Sequence, residues 1–273
     1  MEIPFTKMHG NGNDFILIDE FEKEIIPDGM KGKFALYYTD RRFGIGADGV
    51  IFLSKPQGTD LKMRLFQPDE SEAEMCGNGI RCVAKYALDQ GYAQKECTIE
   101  TRAGVINVQS QYDENGEFWA KISLGKPHFA RSEIPASGEG EYKEEIADFT
   151  VYAVNTGVPH AVIFVDEIGI IDIDRIGPLI RNHPSFPAGA NVNFVERAAE
   201  GVLNVRTFER GVEAETYSCG TGAAAAAVIA KKLGYVGDSV RVETTGGPIL
   251  VHLNENVEIS GPAETVYAGI IPL

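Results

Sequence analysis

The stretch "EAEMCGNGIRCVAKYAL" at residues 72–88 places a cysteine directly before Gly-Asn-Gly and then continues as an apolar helical pattern. A second stretch, "EAETYSCGTGAAAAAVIAKKLG" at residues 213–234, repeats the arrangement. In both, Glu-Ala-Glu precedes Cys-Gly-x-Gly. Cys76 and Cys219 lie 143 positions apart (219 minus 76). The chain therefore carries one cysteine-containing motif twice.

The similarity between the two parts of the chain extends beyond the cysteines. "MRLFQPDE" from Met63 and "VRTFERGVE" from Val205 share an apolar-Arg-x-Phe pattern. "IETRAGVINVQ" from Ile99 matches "VETTGGPILVH" from Val242 at the offset of 143 that separates the two cysteines. Matches in a constant order predict a tandem duplication. We expect two similar domains, at residues 1–118 and 119–263, with the final segment 264–273 packing against the first.

Each half of the chain is predicted to be rich in strands. Short apolar runs such as "FILID", "GVIFL", "KMRLF", "GVINV" and "AVIFV" are separated by Gly, Asn, Asp and Pro. Helical patterns occupy residues 31–39, 78–90, 173–183 and 222–233. The segment "TGAAAAAVIAKK" is so small and apolar that other structure should surround it. These patterns predict an α+β fold in which each domain is a mostly antiparallel sheet rolled around a central helix.

Composition excludes several classes of partner. The 273 residues carry a formal net charge of −15, which opposes binding to nucleic acid or an anionic membrane. No apolar run approaches the roughly 18 residues of a membrane span, and the N-terminus does not resemble a signal peptide. Four cysteines are few for a disulfide framework, and we interpret Cys82 and Cys97 as core thiols. We expect a cytoplasmic protein that acts on a small molecule.

Chemistry is indicated by the position of Cys76 and Cys219 just before predicted helix N-termini. Backbone N–H groups and the helix dipole favour negative charge there, so a thiol can have a lowered pKa and the same N–H groups can bind a carboxylate. We expect a pseudo-two-fold relation that brings both motifs to one cleft. One thiolate would then remove an α-proton while the opposite thiol protonates the other face. This chemistry requires no cofactor.

Other functions fit the two cysteines less well. The spacing of Cys76 and Cys82 does not match a metal site, and "GNGNDF" is too loose for a dinucleotide fingerprint. A Cys-His pair with His160 for acyl transfer leaves the second cysteine unexplained. A thiol-based redox or ligand-binding protein, in which the two cysteines form a disulfide, is a remote alternative.

Six motifs occur together in a specific order: "HGNGNDF", "RRFGIGADGV", "EAEMCGNGIRC", "TGVPHAV", "GANVNF" and "ERGVEAETYSCGTGAAA". On these motifs the chain resembles the diaminopimelate epimerases over nearly its whole length. The resemblance implies a PLP-independent isomerase of lysine biosynthesis that interconverts LL- and meso-diaminopimelate by a two-base mechanism. It also implies two barrel-like domains, each around a central helix, and a homodimer.

The resemblance assigns roles to individual residues. Cys76 and Cys219 are the paired acid and base, and His160 and Glu209 assist proton transfer near the thiols. Arg210 holds a substrate carboxylate. The full set of substrate-binding positions it implies is Asn13, Gln67, Gly77, Asn78, Asn191, Glu209, Arg210, Gly220 and Thr221.

Two sites depart from the family pattern. "FQPDE" has Gln67 and Glu70 where many members have Asn and Gly, and "TGVPH" has Val158 where many have Asn. These positions belong to recognition of the distal end of the substrate. Another amino-acid racemase or epimerase of the same two-cysteine superfamily, acting on a proline-like or basic amino acid, is therefore the alternative function.

Overall fold

The computed structural model describes residues 2–272 and consists of two compact units. Contacts assign Met1–Ile122 with Gly261–Leu273 to the first unit and Ser123–Ser260 to the second. The mixture of many strands with few helices agrees with the predicted α+β class. Among residues 2–272, no helix combines the length and the apolar character that crossing a membrane requires.

Elements of the first half follow the predicted strand and helix pattern closely. They are β1 (Glu2–Gly10), β2 (Asn13–Glu20), α1 (Lys31–Tyr38), β3 (Gly49–Ser54), β4 (Leu61–Phe66), β5 (Glu72–Ala73), α2 (Gly77–Gln90), β6 (Glu96–Thr101), β7 (Gly104–Tyr112) and β8 (Phe118–Ser123).

The second half again contains many strands and few helices. Its elements are β9 (Lys143–Ile146), β10 (Phe149–Asn155), β11 (Pro159–Phe164), α3 (Ile173–Arg181), β12 (Asn191–Ala199), β13 (Val202–Glu209), β14 (Ala214–Thr216), α4 (Gly220–Lys232), β15 (Ser239–Thr244), β16 (Gly247–Leu253), β17 (Val257–Pro262) and β18 (Glu264–Pro272).

Strand pairing repeats between the two halves. In the first, β2 runs parallel to β3, β3 antiparallel to β4, β4 parallel to β6, and β6–β7–β8 are antiparallel. In the second, β11 runs parallel to β12, β12 antiparallel to β13, β13 parallel to β15, and β15–β16–β17 are antiparallel. The same succession of pairings occurs twice, as the sequence duplication predicts.

Each unit contains a helix packed against its strands. Residues 222–230 of α4 are all buried, and the helix contacts six strands from β10 to β16. Alanine has no side chain beyond Cβ, so strands can pack closely on every side of this helix. Helix α2 contacts β1, β2, β4, β7 and β18. The expectation of a sheet around a central helix is confirmed for each unit.

The predicted helix limits were accurate to within two residues. Helix α4 begins at Gly220, two residues before the predicted start at Gly222. The sequence Gly-Thr-Gly carries no apolar pattern that would mark the first turn. In the structure the helix begins directly after Cys219, which has an extended conformation. The interpretation of Cys82 and Cys97 as core thiols is also supported. Burial raises the pKa of Cys82 to about 12 and that of Cys97 to about 11, so both stay protonated.

Candidate functional site

Both motif cysteines occupy the residue before a helix. Cys76 has φ −143° and ψ 116°, and Cys219 has φ −124° and ψ 109°. The first helical hydrogen bonds run from Ile80 N–H to the Cys76 carbonyl and from Ala223 N–H to the Cys219 carbonyl, each 2.9 Å long. The preceding N–H groups of each first turn take no part in helical bonding, and they form the positive end of the helix dipole. Each unit therefore presents a thiol beside the positive end of a helix dipole.

The second glycine of each Cys-Gly-x-Gly motif allows close packing against the thiol residue. A Cβ at Gly79 would lie 3.6 Å from Cys76 Cβ and 3.3 Å from an Ile51 methyl group. A Cβ at Gly222 would lie 3.2 Å from Cys219 Cβ and 2.3 Å from Asn193 Oδ1. Gly222 is the more tightly packed of the two glycines, and any larger residue there must displace Asn193.

In the first unit, amide side chains surround Cys76, and we call this group the Cys76 cluster. The Cys76 thiol donates to Asn13 Oδ1 at 3.5 Å, and Asn78 Nδ2 donates to the same oxygen at 3.2 Å. Asn13 Nδ2 donates to Asp48 Oδ2 at 2.6 Å. The same Asp48 Oδ2 also accepts from the Asp14 N–H at 3.1 Å, so it is an acceptor and fixes which end of the Asn13 amide faces the thiol. An acceptor oxygen therefore faces Cys76.

A buried arginine supports this cluster from within the first unit. Arg81 is fully buried, and its Nη2 donates to Asn78 Oδ1 at 2.8 Å and to Asn11 Oδ1 at 2.7 Å. Its Nε donates to the Pro262 carbonyl at 3.0 Å. Burial lowers the pKa of Arg81. These contacts fix the Asn78 amide so that its Nδ2 faces Asn13.

Charged side chains surround Asp48, the residue that accepts a hydrogen bond from Asn13. Arg41 Nη2 lies 2.7 Å from Asp14 Oδ1 and 2.8 Å from Asp48 Oδ1, and Lys7 Nζ lies 2.7 Å from Asp14 Oδ2. Burial raises the pKa of Asp14, but hydrogen bonds from Arg41 and Lys7 outweigh it and lower that pKa to about 2. The Asp14 carboxylate is therefore ionised at neutral pH.

In the second unit, a chain of polar contacts ends at Cys219, and we call this group the Cys219 cluster. Cys219 Sγ lies 3.4 Å from Thr221 Oγ1, which lies 2.9 Å from His160 Nε2. His160 Nδ1 lies 3.0 Å from Asn193 Nδ2. Burial lowers the pKa of His160 to about 3, and the charge of Arg210 acts in the same direction. His160 is therefore a neutral imidazole at physiological pH.

The neutral state of His160 has a consequence for stability. The unfolded chain binds a proton at this residue below about pH 6.5, whereas the folded chain does so only near pH 3, so acid favours unfolding in that window. We expect the loss of unfolding free energy between about pH 7 and about pH 5.5 to be about 1 kcal/mol larger in the wild type than in His160→Gln. Urea unfolding at both pH values measures it, and equal losses in the two proteins would contradict the assignment.

Three further predicted site residues lie in the second unit beside this chain of contacts. Asn191 begins β12 directly opposite His160 in the β11–β12 register, and its Oδ1 accepts from the Arg210 N–H at 2.8 Å. Glu209 ends β13 and accepts from Thr216 Oγ1 at 2.9 Å. Asn191, Glu209 and Arg210 therefore form a connected group at the ends of two paired strands.

The positions that depart from the family pattern lie in turns. Gln67 is exposed, and its Oε1 accepts from Ser71 Oγ at 2.9 Å. Glu70 adopts φ 70°, a left-handed conformation that costs a non-glycine residue roughly 1 kcal/mol. Val158 lies just before β11 and is partly buried. The roles of Gln67 and Val158 in substrate recognition remain predictions.

Several residues that shape the Cys76 and Cys219 clusters lie outside the set predicted from the sequence. Asn193 lies two positions after Asn191 on the same strand, so the alternation of strand side chains could have placed both on one face. Arg81 and Asn11 gave no such signal. Within residues 2–272, no group of three or more His, Cys, Asp or Glu side chains is placed to hold a metal ion.

Comparison with known proteins identifies the family. A family model described as diaminopimelate epimerase matches residues 5–130 and 152–267. The diaminopimelate epimerase of Methanothrix thermoacetophila is 54% identical over 272 residues, covering 99% of this chain and 96% of that one. The diaminopimelate epimerase of Archaeoglobus fulgidus is 46% identical, covering 100% and 98%.

Solved structures show the same fold at low sequence identity. A phenazine biosynthesis protein of the PhzF family from Bacillus anthracis is 18% identical, with a TM-score of 0.74 and full coverage of both chains. A hydroxyproline epimerase from Agrobacterium vitis is also 18% identical, with a TM-score of 0.67 and coverage of 99% and 92%. The fold is thus shared with other proteins, whereas the sequence matches are specific. The chain belongs to the diaminopimelate epimerase family.

Proposed function

We propose that this chain is an isomerase that epimerises LL-diaminopimelate to meso-diaminopimelate in lysine biosynthesis, without pyridoxal phosphate. The observation that carries the proposal is the pair of cysteines, each placed directly before a helix and each hydrogen-bonded to its own set of polar partners. Family membership supplies the substrate. The hydrogen-bond partners of the two thiols support the two-base mechanism.

Binding of the reacting carboxylate is assigned to the helix ends. Gly77 and Asn78 begin α2, and Gly220 and Thr221 begin α4, so their N–H groups lie at the positive ends of the two dipoles. The enolate-like charge that develops when the α-proton leaves would be stabilised by the same donors. Arg210 is proposed to bind a substrate carboxylate through its planar fork of donors.

Proton transfer is assigned to the two thiols on opposite faces of the α-carbon. Because the Cys76 thiol donates to the Asn13 oxygen, we assign Cys76 as the acid for LL-diaminopimelate. Cys219 is then the base that removes the α-proton. In the reverse reaction the two exchange roles, as microscopic reversibility requires.

Supporting roles follow from the contacts in each unit. His160 reaches Cys219 through Thr221, and Glu209 assists proton transfer. Asn13 lies beside Cys76 and Asn191 beside Arg210, and both are proposed to bind substrate. Gln67 is proposed to contact the distal end of the substrate, where its amide extends one methylene further than an asparagine.

The proposal is tested with a panel of single stereoisomers. The purified protein is incubated separately with LL-diaminopimelate, L-proline, L-hydroxyproline and L-lysine, and the isomers are separated by chiral chromatography. We expect meso-diaminopimelate to form and the other amino acids to remain unchanged. Inversion of proline or lysine without inversion of diaminopimelate would assign the chain to another racemase of the superfamily.

We also propose a homodimer in the cytoplasm. All four cysteines are free thiols, and a thiol-based enzyme requires the reducing conditions found there. For the dimer, β18 pairs with β1 and exposes the apolar side chains of Val266, Tyr267 and Ile270, which are 53%, 45% and 60% exposed. Such a patch is typical of an interface between subunits.

Disruption of this patch should dissociate the dimer. We expect Ile270→Glu to shift the protein from dimer to monomer in sedimentation velocity, because a carboxylate in an apolar interface is left without solvation. Val105→Glu, at an exposed apolar residue of β7, is the matched control and should remain dimeric. A monomeric wild type, or an unchanged dimer in Ile270→Glu, would contradict the proposed interface.

A further inference from the structure

The amide of Asn193 has a defined orientation. Its Nδ2 donates to the Ala161 carbonyl at 2.9 Å, and its Oδ1 accepts from Thr207 Oγ1 at 3.0 Å. A backbone carbonyl can only accept, so the nitrogen of the amide must be the end that faces Ala161. The same nitrogen lies 3.0 Å from His160 Nδ1. An N–H group therefore points toward that ring nitrogen.

The orientation of Asn193 determines which nitrogen of His160 carries the proton. Because Asn193 donates to Nδ1, this nitrogen must be the acceptor, and a neutral imidazole then carries its hydrogen on Nε2. Nε2–H in turn donates to Thr221 Oγ1 at 2.9 Å. With its oxygen accepting from His160, Thr221 can donate its own hydrogen to Cys219 Sγ, 3.4 Å away.

We infer that Asn193 is a positioning residue that holds His160 in the Nε2–H tautomer and thereby keeps Thr221 donating to Cys219. The consequence for catalysis rests on the proposed function, but the tautomer does not. A sulfur that accepts a hydrogen bond is favoured as thiolate, whereas the Cys76 thiol donates to Asn13. The Cys76 and Cys219 clusters thus differ in the direction of the hydrogen bond at sulfur.

The packing around Asn193 preserves this arrangement. Asn193 and His160 are both 0% exposed, so solvent does not compete for their hydrogen bonds. Asn193 lies opposite Thr207 in the β12–β13 register, which fixes the donor to its oxygen. Gly222 supplies the space, since a Cβ there would lie 2.3 Å from Asn193 Oδ1. Strand register and a helical glycine together fix the amide.

The tautomer is measured directly by NMR of the protein with ¹⁵N-labelled histidine. His160→Gln assigns the His160 signals among the five histidines. We expect one-bond coupling of a hydrogen to Nε2 and the resonance position of an unprotonated nitrogen for Nδ1. A hydrogen on Nδ1 in the wild type would overturn the inference.

Variants test whether Asn193 is the cause. In Asn193→Asp a carboxylate faces Nδ1, so we expect Nδ1 to become protonated. In Asn193→Ala, which removes the donor without adding charge, we expect the Nε2–H preference to be replaced by a mixture of tautomers. Asn254→Asp, at an exposed residue of the same unit, is the control and should leave the His160 signals unchanged. An unchanged tautomer in Asn193→Ala would overturn the inference even if Asn193→Asp fails to fold.

Activity measurements separate this inference from the proposed function. We expect α-proton exchange of diaminopimelate to fall about 10- to 100-fold in Asn193→Asp, because the hydrogen bond to the Cys219 thiolate is lost. Absence of exchange in the wild type, together with the expected tautomer, would reject only the proposed function. Full exchange in Asn193→Asp despite a protonated Nδ1 would reject the catalytic consequence of the tautomer.

Discussion

Serine in place of Cys76 or Cys219 is expected to lower the rate of epimerisation by about 10²- to 10⁴-fold, the usual contribution of a general acid or base. A serine hydroxyl is a far weaker acid than a thiol, so it can neither form the base nor deliver the proton at neutral pH. Chiral chromatography of LL- and meso-diaminopimelate measures the loss. Cys97→Ala, which alters a buried core thiol of β6, should retain the wild-type rate.

The two serine variants should differ in what they retain. Each keeps one thiol, which can still exchange the α-proton that faces it but cannot complete the inversion. We therefore expect slow exchange of solvent deuterium without inversion, from the LL centre in Cys76→Ser and from the opposite configuration in Cys219→Ser. Full epimerisation by either variant would show that its cysteine is not an essential acid or base.

Removal of the Arg210 guanidinium is expected to have the next largest effect on substrate use. A hydrogen bond to a charged group contributes about 1.5–3 kcal/mol, so loss of its contact with the substrate carboxylate in Arg210→Met should lower kcat/KM about 10- to 150-fold. Arg210→Lys keeps the charge but loses the planar fork, and it should recover only part of the loss.

The Arg210 effect should appear mainly in KM, because a non-reacting carboxylate is bound equally in the ground state and the transition state. Initial rates over a range of diaminopimelate concentrations provide the measurement. Arg175→Lys is the control, since the Arg175 side chain is 73% exposed on α3. An unchanged KM in Arg210→Met would remove Arg210 from the substrate-binding set.

The parts of the fold that the sequence predicted are those set by local patterns. The helices near Gly77 and Gly220 follow from a Cys-Gly-x-Gly turn and an apolar run, and the paired strands follow from short apolar segments between turn residues. The duplication could be detected because both copies kept their spacing. The matching strand pairings in the two halves agree with that inference.

Contacts across strands could not be predicted in the same way. Asn193 meets His160 and Thr207 only because β11, β12 and β13 pair in a particular register, which depends on the whole sheet. The burial of Arg81 could not be predicted for a different reason. It lies in an apolar helix and is fully buried among neutral acceptors, whereas an arginine in a sequence is normally expected at the surface.

The origin of the hydrogen in the product tests the two-base mechanism most directly. LL-diaminopimelate carrying protium at its α-carbons is incubated with the wild-type protein in D2O, and the first few per cent of product is analysed by mass spectrometry and NMR. With the acid and base on separate sulfurs, we expect the new meso centre to carry deuterium while the remaining substrate keeps its protium. Meso product that retains the substrate's own α-hydrogen would mean that a single group removes and returns the proton, and this would contradict the pairing of Cys76 with Cys219.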